Sequence, residues 1–95
     1  MRLKPLATYY TTYSAATTAV YERVELMGYT IDEDDWFRKV NLGGKPKPGE
    51  SKDSSCITLY KDGKEQRKTL HIQVYRIEMP DNFAYDRFEL NWYIS

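Results

Sequence analysis

Apolar side chains along this chain change their spacing near residue 56. Before it, Tyr13, Ala16, Val20, Val24 and Met27 recur at helical intervals, with Ala15 and Ala19 flanking the stripe and Glu22, Arg23 and Glu25 facing away. This predicts a helix over about 11–27, which Gly28 is placed to end in a left-handed conformation. Pro5 disfavours helix at Lys4, so residues 1–8 read as an extended arm. After residue 56 the interval falls to two. Leu70, Ile72 and Val74 alternate with His71, Gln73 and Tyr75, and Phe88, Leu90, Trp92 and Ile94 alternate with Arg87, Glu89, Asn91 and Tyr93. Period two of this length predicts half-buried strands of an antiparallel sheet.

Between the two regimes stands "TIDEDDWF" (30–37), four acids followed by two large aromatics. Asp32 suits an N-cap, Asp35 suits the third helical position, and Ile31 against Trp36 makes a hydrophobic staple. Thr30 as cap with Glu33 is an equally legal register. A short helix over about 33–40 follows, with Trp36, Phe37 and Val40 as its buried face. The competing readings of Asp32, Glu33, Asp34 and Asp35 are an acidic contact corner and a metal loop. A calcium loop beginning at Asp32 needs Gly at its sixth position and Glu at its twelfth, where this chain has Phe37 and Gly43.

The stretch "GGKPKPGESKDSS" (43–55) has no apolar side chain and reads as a loop, solvated or touching an anionic partner through its lysines. Strands are expected over about 56–60, 67–78 and 87–95. Asp62-Gly63 joins the first two as a two-residue hairpin, and "MPDNFAYD" (79–86) forms a looser second turn. The expected fold is therefore α+β in one domain spanning 1–95, with two N-terminal helices packed on one face of a three-stranded antiparallel β-meander. Its inner sheet face comprises Ile57, Leu59, Leu70, Ile72, Val74, Phe88, Leu90, Trp92 and Ile94.

Composition narrows the function. Ninety-five residues fit one domain, and 41 % hydrophobic with 15 % aromatic content is too rich for a disordered chain. Fourteen basic groups balance fourteen acidic ones, so no overall field draws the chain to nucleic acid or anionic lipid, although residues 41–78 carry eight basic against five acidic groups. A lone Cys56 permits neither an intrachain disulfide nor a cysteine zinc cage. The N-terminal stretch lacks the apolar run of a signal peptide and nothing approaches the length of a membrane span, which points to a soluble intracellular protein without membrane contact.

Candidate chemistry is sparse. His71 is the only histidine, and Cys56 begins the neighbouring strand with the same parity, so a Cys56–His71 thiol site is conceivable. The hairpin register places Cys56 opposite Thr69 and His71 diagonally beyond, with no orienting third group. No phosphate cradle, metal-ligand set or cofactor motif is present in the sequence. The outer sheet face is richer, offering Tyr60, Arg67, His71, Gln73, Tyr75, Asn91 and Tyr93. Tyr and Arg concentrate at protein interfaces. Tyrosines near Arg also resemble a stacking platform for single-stranded nucleic acid. Ordinary strand propensity explains the same residues without any partner. Sheet edges that need covering point to a homodimer. The function expected is a non-enzymatic protein–protein interaction module, with single-stranded nucleic-acid binding as the alternative.

"GYTIDEDDWF" (28–37), "GGKPKPG" (43–49), "HIQVY" (71–75) and "ELNWYI" (89–94) together resemble small uncharacterised proteins encoded by tailed marine cyanophages. The resemblance implies a phage origin and a role in the virion or in host takeover. It attaches no activity and assigns no functional residue.

Overall fold

In the computed structural model, which describes residues 3–79 and 87–95, the chain forms one sheet with a helix across its inner face. The sheet corrects the expected meander. It has five antiparallel strands in the order β1-β5-β4-β3-β2: β1 (Tyr9–Tyr10), β2 (Thr30–Ile31), β3 (Ser51–Lys61), β4 (Lys64–Ile77) and β5 (Arg87–Ile94), curled into a half-barrel. The two additional strands come from the segments on either side of the first helix. Each has two residues, too few for alternation to show. Tyr10 pairs with Phe88 and Ile31 with Leu59, so one edge is formed by two residues between the expected arm and the first helix, and the other by the entry to the second helix.

Helix α1 (Tyr13–Leu26) starts where Thr12 Oγ1 accepts the Ala15 N–H at 2.9 Å. It ends in a Schellman motif. Gly28, at φ +98°, lets the Gly28 N–H reach the Glu25 carbonyl and the Tyr29 N–H reach that of Val24. Ala16, Thr17, Val20 and Val24 face the sheet; Met27, expected in the core, is exposed. The second helix is shorter than expected. Helix α2 (Glu33–Trp36) makes one turn and opens into a π turn (Phe37–Asn41), where the Leu42 N–H reaches back to the Phe37 carbonyl at 2.8 Å. This pair flanks β3 rather than covering the sheet. Trp36 and Val40 drop into the core, and Phe37 points outward.

The predicted hairpin forms at Asp62-Gly63, where both residues have positive φ, as a two-residue turn matching strand twist requires. Beyond it the ladder slips twice. Tyr60 pairs with Glu65 but Thr58 with Thr69, so Leu59 faces the bulged segment 66–68 that includes Arg67. Ile57 then pairs with Leu70 and Ser54 with Ile72, leaving Ser55 and Cys56 opposite His71, with Cys56 at φ +57°. These bulges bend the strands and account for the curl.

Strand β3 begins at Ser51, so the expected 43–55 loop is shorter: its last five residues belong to the strand, and Ser51 to Ser54 pair with β4. Hydrophobic patterning missed this because the inward positions hold Lys52 and Ser54. They meet backbone instead of side chains. Lys52 Nζ donates to the carbonyls of Val40, Leu42 and Gly44 at 2.7–2.9 Å and lies 5.2 Å from the Tyr13 ring centre. Ser54 Oγ donates to the Lys39 carbonyl at 2.7 Å. The expected 79–86 turn lies outside the described residues except for Met79. Among the described residues, no helix is long and apolar enough to cross a membrane.

Candidate functional site

The residues expected to form a site separate into an outer sheet face and the acidic corner. In the corner, Asp32 and Asp35 turn inward, and Glu33 and Asp34 stay exposed. Asp32 caps α2 by accepting the Asp35 N–H at 2.9 Å, and it also accepts the Tyr60 hydroxyl at 3.2 Å. That second bond raises the Tyr60 pKa. Asp35, only 9 % exposed, accepts the Thr58 N–H at 2.9 Å and meets Arg38 at 2.9 Å. The Thr58 amide holds its carboxyl below the usual range. Because the Asp32 N–H donates to the Thr58 carbonyl, Asp35 continues the β2–β3 ladder after the chain has turned into helix. Asp34 pairs with Arg38 at 3.0 Å, and Glu33 accepts the Tyr21 hydroxyl.

The Tyr21–Glu33 bond lies in an open cleft of about 580 Å³ between α1 and α2. Its wall is the edge-to-face pair Tyr21–Trp36, 4.9 Å between ring centres. Glu33 raises the Tyr21 pKa to about 12, and burial raises that of Tyr13 equally high. Those phenols stay neutral at ordinary pH and serve as hydrogen-bond donors, Tyr13 to the Val40 carbonyl at 2.7 Å.

The outer face is different. Alternation places Tyr75, Gln73 and His71 of β4 beside Glu89, Asn91 and Tyr93 of β5, pair by pair. Tyr9 of β1 follows on the far side, its ring 5.7 Å from the Arg87 guanidinium. Among the described residues, no helix covers this face. Tyr9, Tyr75 and Tyr93 are 53 %, 36 % and 58 % exposed. A shallow depression of about 240 Å³ is lined by Asp53, Ser55, His71, Gln73, Asn91 and Tyr93. The imidazole of His71 stacks on the Tyr93 ring, 4.6 Å between centres and 11° from parallel.

Two expected members fall away. Tyr60 is half-buried and tied to Asp32, and Arg67 sits in the bulge near the hairpin. Tyr9 and Asp53 join the face unannounced. Tyr9 belonged to a strand too short to recognise, and Asp53 lay in the presumed loop.

The thiol arrangement also changes. The bulge brings Cys56 opposite His71, not Thr69, but its backbone N–H is what reaches Nδ1, at 3.4 Å. Nε2 lies 3.0 Å from the Thr69 hydroxyl. Both ring nitrogens therefore hold strand neighbours, which is the geometry of a side chain bracing a bulge. Among the described residues, no group of three or more His, Cys, Asp or Glu side chains is arranged to hold a metal ion. Comparison with protein-family models, with curated proteins and with solved structures finds no match.

Proposed function

We propose that this chain is a non-enzymatic protein–protein interaction module that binds through the outer face of its sheet. The observation supporting it is the uncovered row of Tyr9, Tyr75 and Tyr93 with Gln73 and Asn91 between them. Broad rings with polar tips on a rigid strand lose little conformational freedom on binding, which suits an interface. The partner is a protein, and a second copy of the chain is one such partner. The resemblance to cyanophage proteins supports an accessory role in the virion or in host takeover, acting as a soluble protein inside the host cell. Of the acidic corner, Asp32 and Asp35 are engaged within the fold, while Glu33 and Asp34 remain exposed beside Tyr21 and Arg38.

The nucleic-acid alternative has less support. Lys52 is turned inward onto carbonyls, and Asp53 and Glu89 lie on the same face as the tyrosines. Backbone phosphates would meet carboxylates there. Titration with a labelled single-stranded oligonucleotide at two salt concentrations separates the readings: no saturable binding is expected, and binding that weakens with salt would replace the proposal. Proteins retained by the immobilised chain from a host lysate should be lost on a Tyr9→Thr/Tyr75→Thr variant of unchanged circular dichroism. Equal retention by both would contradict use of this face.

A further inference from the structure

The two long edges of the sheet are finished differently. On the β3 side, β2 pairs with Leu59 and Tyr60, Asp35 takes the Thr58 N–H, and Lys39 Nζ donates to the Cys56 carbonyl at 2.8 Å. On the β5 side, cover stops early. Ser95 and Thr69 exchange backbone bonds, so odd-numbered groups of β5 point toward β4 and even-numbered groups point away. Tyr10 pairs with Phe88, and the Thr8 carbonyl accepts the Leu90 N–H at 2.7 Å. There the arm leaves the ladder, and its Lys4 carbonyl is taken by Arg23 of α1. The outward backbone groups of Trp92 and Ile94 have no hydrogen-bond partner among the described residues. Residues 91–95, "NWYIS", contain no charge and no proline, the usual protections of an open edge.

We propose that a second copy of the chain adds its own β5 antiparallel to this edge, about a two-fold axis through Tyr93. This register pairs Trp92 with Ile94 of the second copy and Ile94 with its Trp92, each pair exchanging both backbone bonds, so the open groups of both chains are satisfied together. It is also chemically self-complementary. Trp92 against Ile94 is an aromatic–β-branched cross-strand pair on the inner face. Tyr93 meets Tyr93 on the outer face at a non-hydrogen-bonded position, where side chains approach closest. The His71 imidazole supports each of these rings from behind. The proposal deepens the interaction-module reading by naming one partner. It rests on the β5 backbone and not on Tyr9, Gln73 or Tyr75.

Sedimentation velocity across a concentration series, joined to amide hydrogen exchange, tests it on the full chain. A dimer should form as concentration rises, with the Trp92 and Ile94 amides gaining protection in step. Ile94→Pro removes an N–H on the open side and leaves the ladder to β4 intact, so it should weaken self-association about ten-fold or more. Should that variant misfold, Tyr93→Cys in a Cys56→Ser background provides an independent reading. Mild oxidation should link two chains through residue 93, while Gln73→Cys in the same background stays unlinked. A monomer at every concentration, a dimer whose Trp92 and Ile94 amides exchange freely, or a Tyr93→Cys chain that does not cross-link each overturns the proposal. A dimer abolished by Tyr9→Thr/Tyr75→Thr but not by Ile94→Pro overturns the edge pairing and keeps the interaction face.

Discussion

The acidic corner at Asp32–Asp35 and the tyrosine face of β4 and β5 are both polar clusters on a small protein, yet their hydrogen bonds go to opposite places. Every carboxylate of the corner meets a group of its own chain: Asp32 an amide and a phenol, Glu33 a phenol, Asp34 a guanidinium, Asp35 an amide and a guanidinium. On the face, the Tyr9, Tyr75 and Tyr93 rings lie largely open, and the contacts present run between neighbouring strands. Local composition does not tell a cluster engaged within the fold from one left open. For Asp32 and Asp35, what decides is that an unpaired backbone N–H lies within reach. The β3 edge and the start of α2 present such groups to the corner, whereas the amides beneath the face are already paired in the β4–β5 ladder.

If that contrast is right, substitutions in the two regions should differ most at Asp35. Asp35→Ala strips the acceptor from the Thr58 N–H and should lower unfolding free energy by about 2 kcal/mol, measured by denaturant titration. The sign of its pH dependence follows from the depressed carboxyl. The folded state holds the Asp35 carboxylate more firmly than the unfolded chain does, so its contribution is complete above the unfolded pKa and is lost as pH falls through the folded value. Asp35→Asn should therefore flatten the acid limb of the stability profile, and an unchanged limb would show that the corner is not structural.

Lys52→Met comes next. It keeps the stem but leaves the carbonyls of Val40, Leu42 and Gly44 without their shared donor, and a loss of about 1–2 kcal/mol is expected. Amide exchange should quicken around the π turn before it quickens in β4. The smallest effect belongs to the face. Tyr9→Thr/Tyr75→Thr replaces one strand-forming residue type with another and should shift stability by no more than about 0.5 kcal/mol. A loss as large as that of Asp35→Ala would mean that these rings pack against the protein itself.

The legible parts of the fold were those whose pattern is set by burial. The α1 stripe, the Asp62-Gly63 hairpin, the alternation of β4 and β5, and the Asp32 cap all follow from local chemistry and all appear. Each failure has its own physical origin. Lys52 and Ser54 face inward because backbone carbonyls of the π turn receive them, so the first half of β3 carries no hydrophobic signal. The pairing of Tyr9–Tyr10 and Thr30–Ile31 with long strands depends on where α1 carries the chain, which two residues cannot encode. The bulge near the hairpin, where residues 66–68 of β4 stand against Leu59, moved Cys56 from Thr69 to His71, and the second bulge at Ser55–Cys56, with its left-handed Cys56, brought Ser55 opposite the same residue. Of the face, His71, Gln73, Tyr75, Asn91 and Tyr93 were readable from parity because β4 and β5 pair without a slip from Leu70 to Ile77.

The most direct test of an open outer face is paramagnetic co-solute NMR on the dilute chain, comparing the two sides of the same strands. Signals of Gln73, Tyr75 and Asn91 should broaden strongly, while those of Ile72, Val74 and Leu90, one residue away and facing α1, should barely change. Equal protection on both sides would mean that the face is roofed by the chain's own residues, and the binding surface proposed for it would not exist.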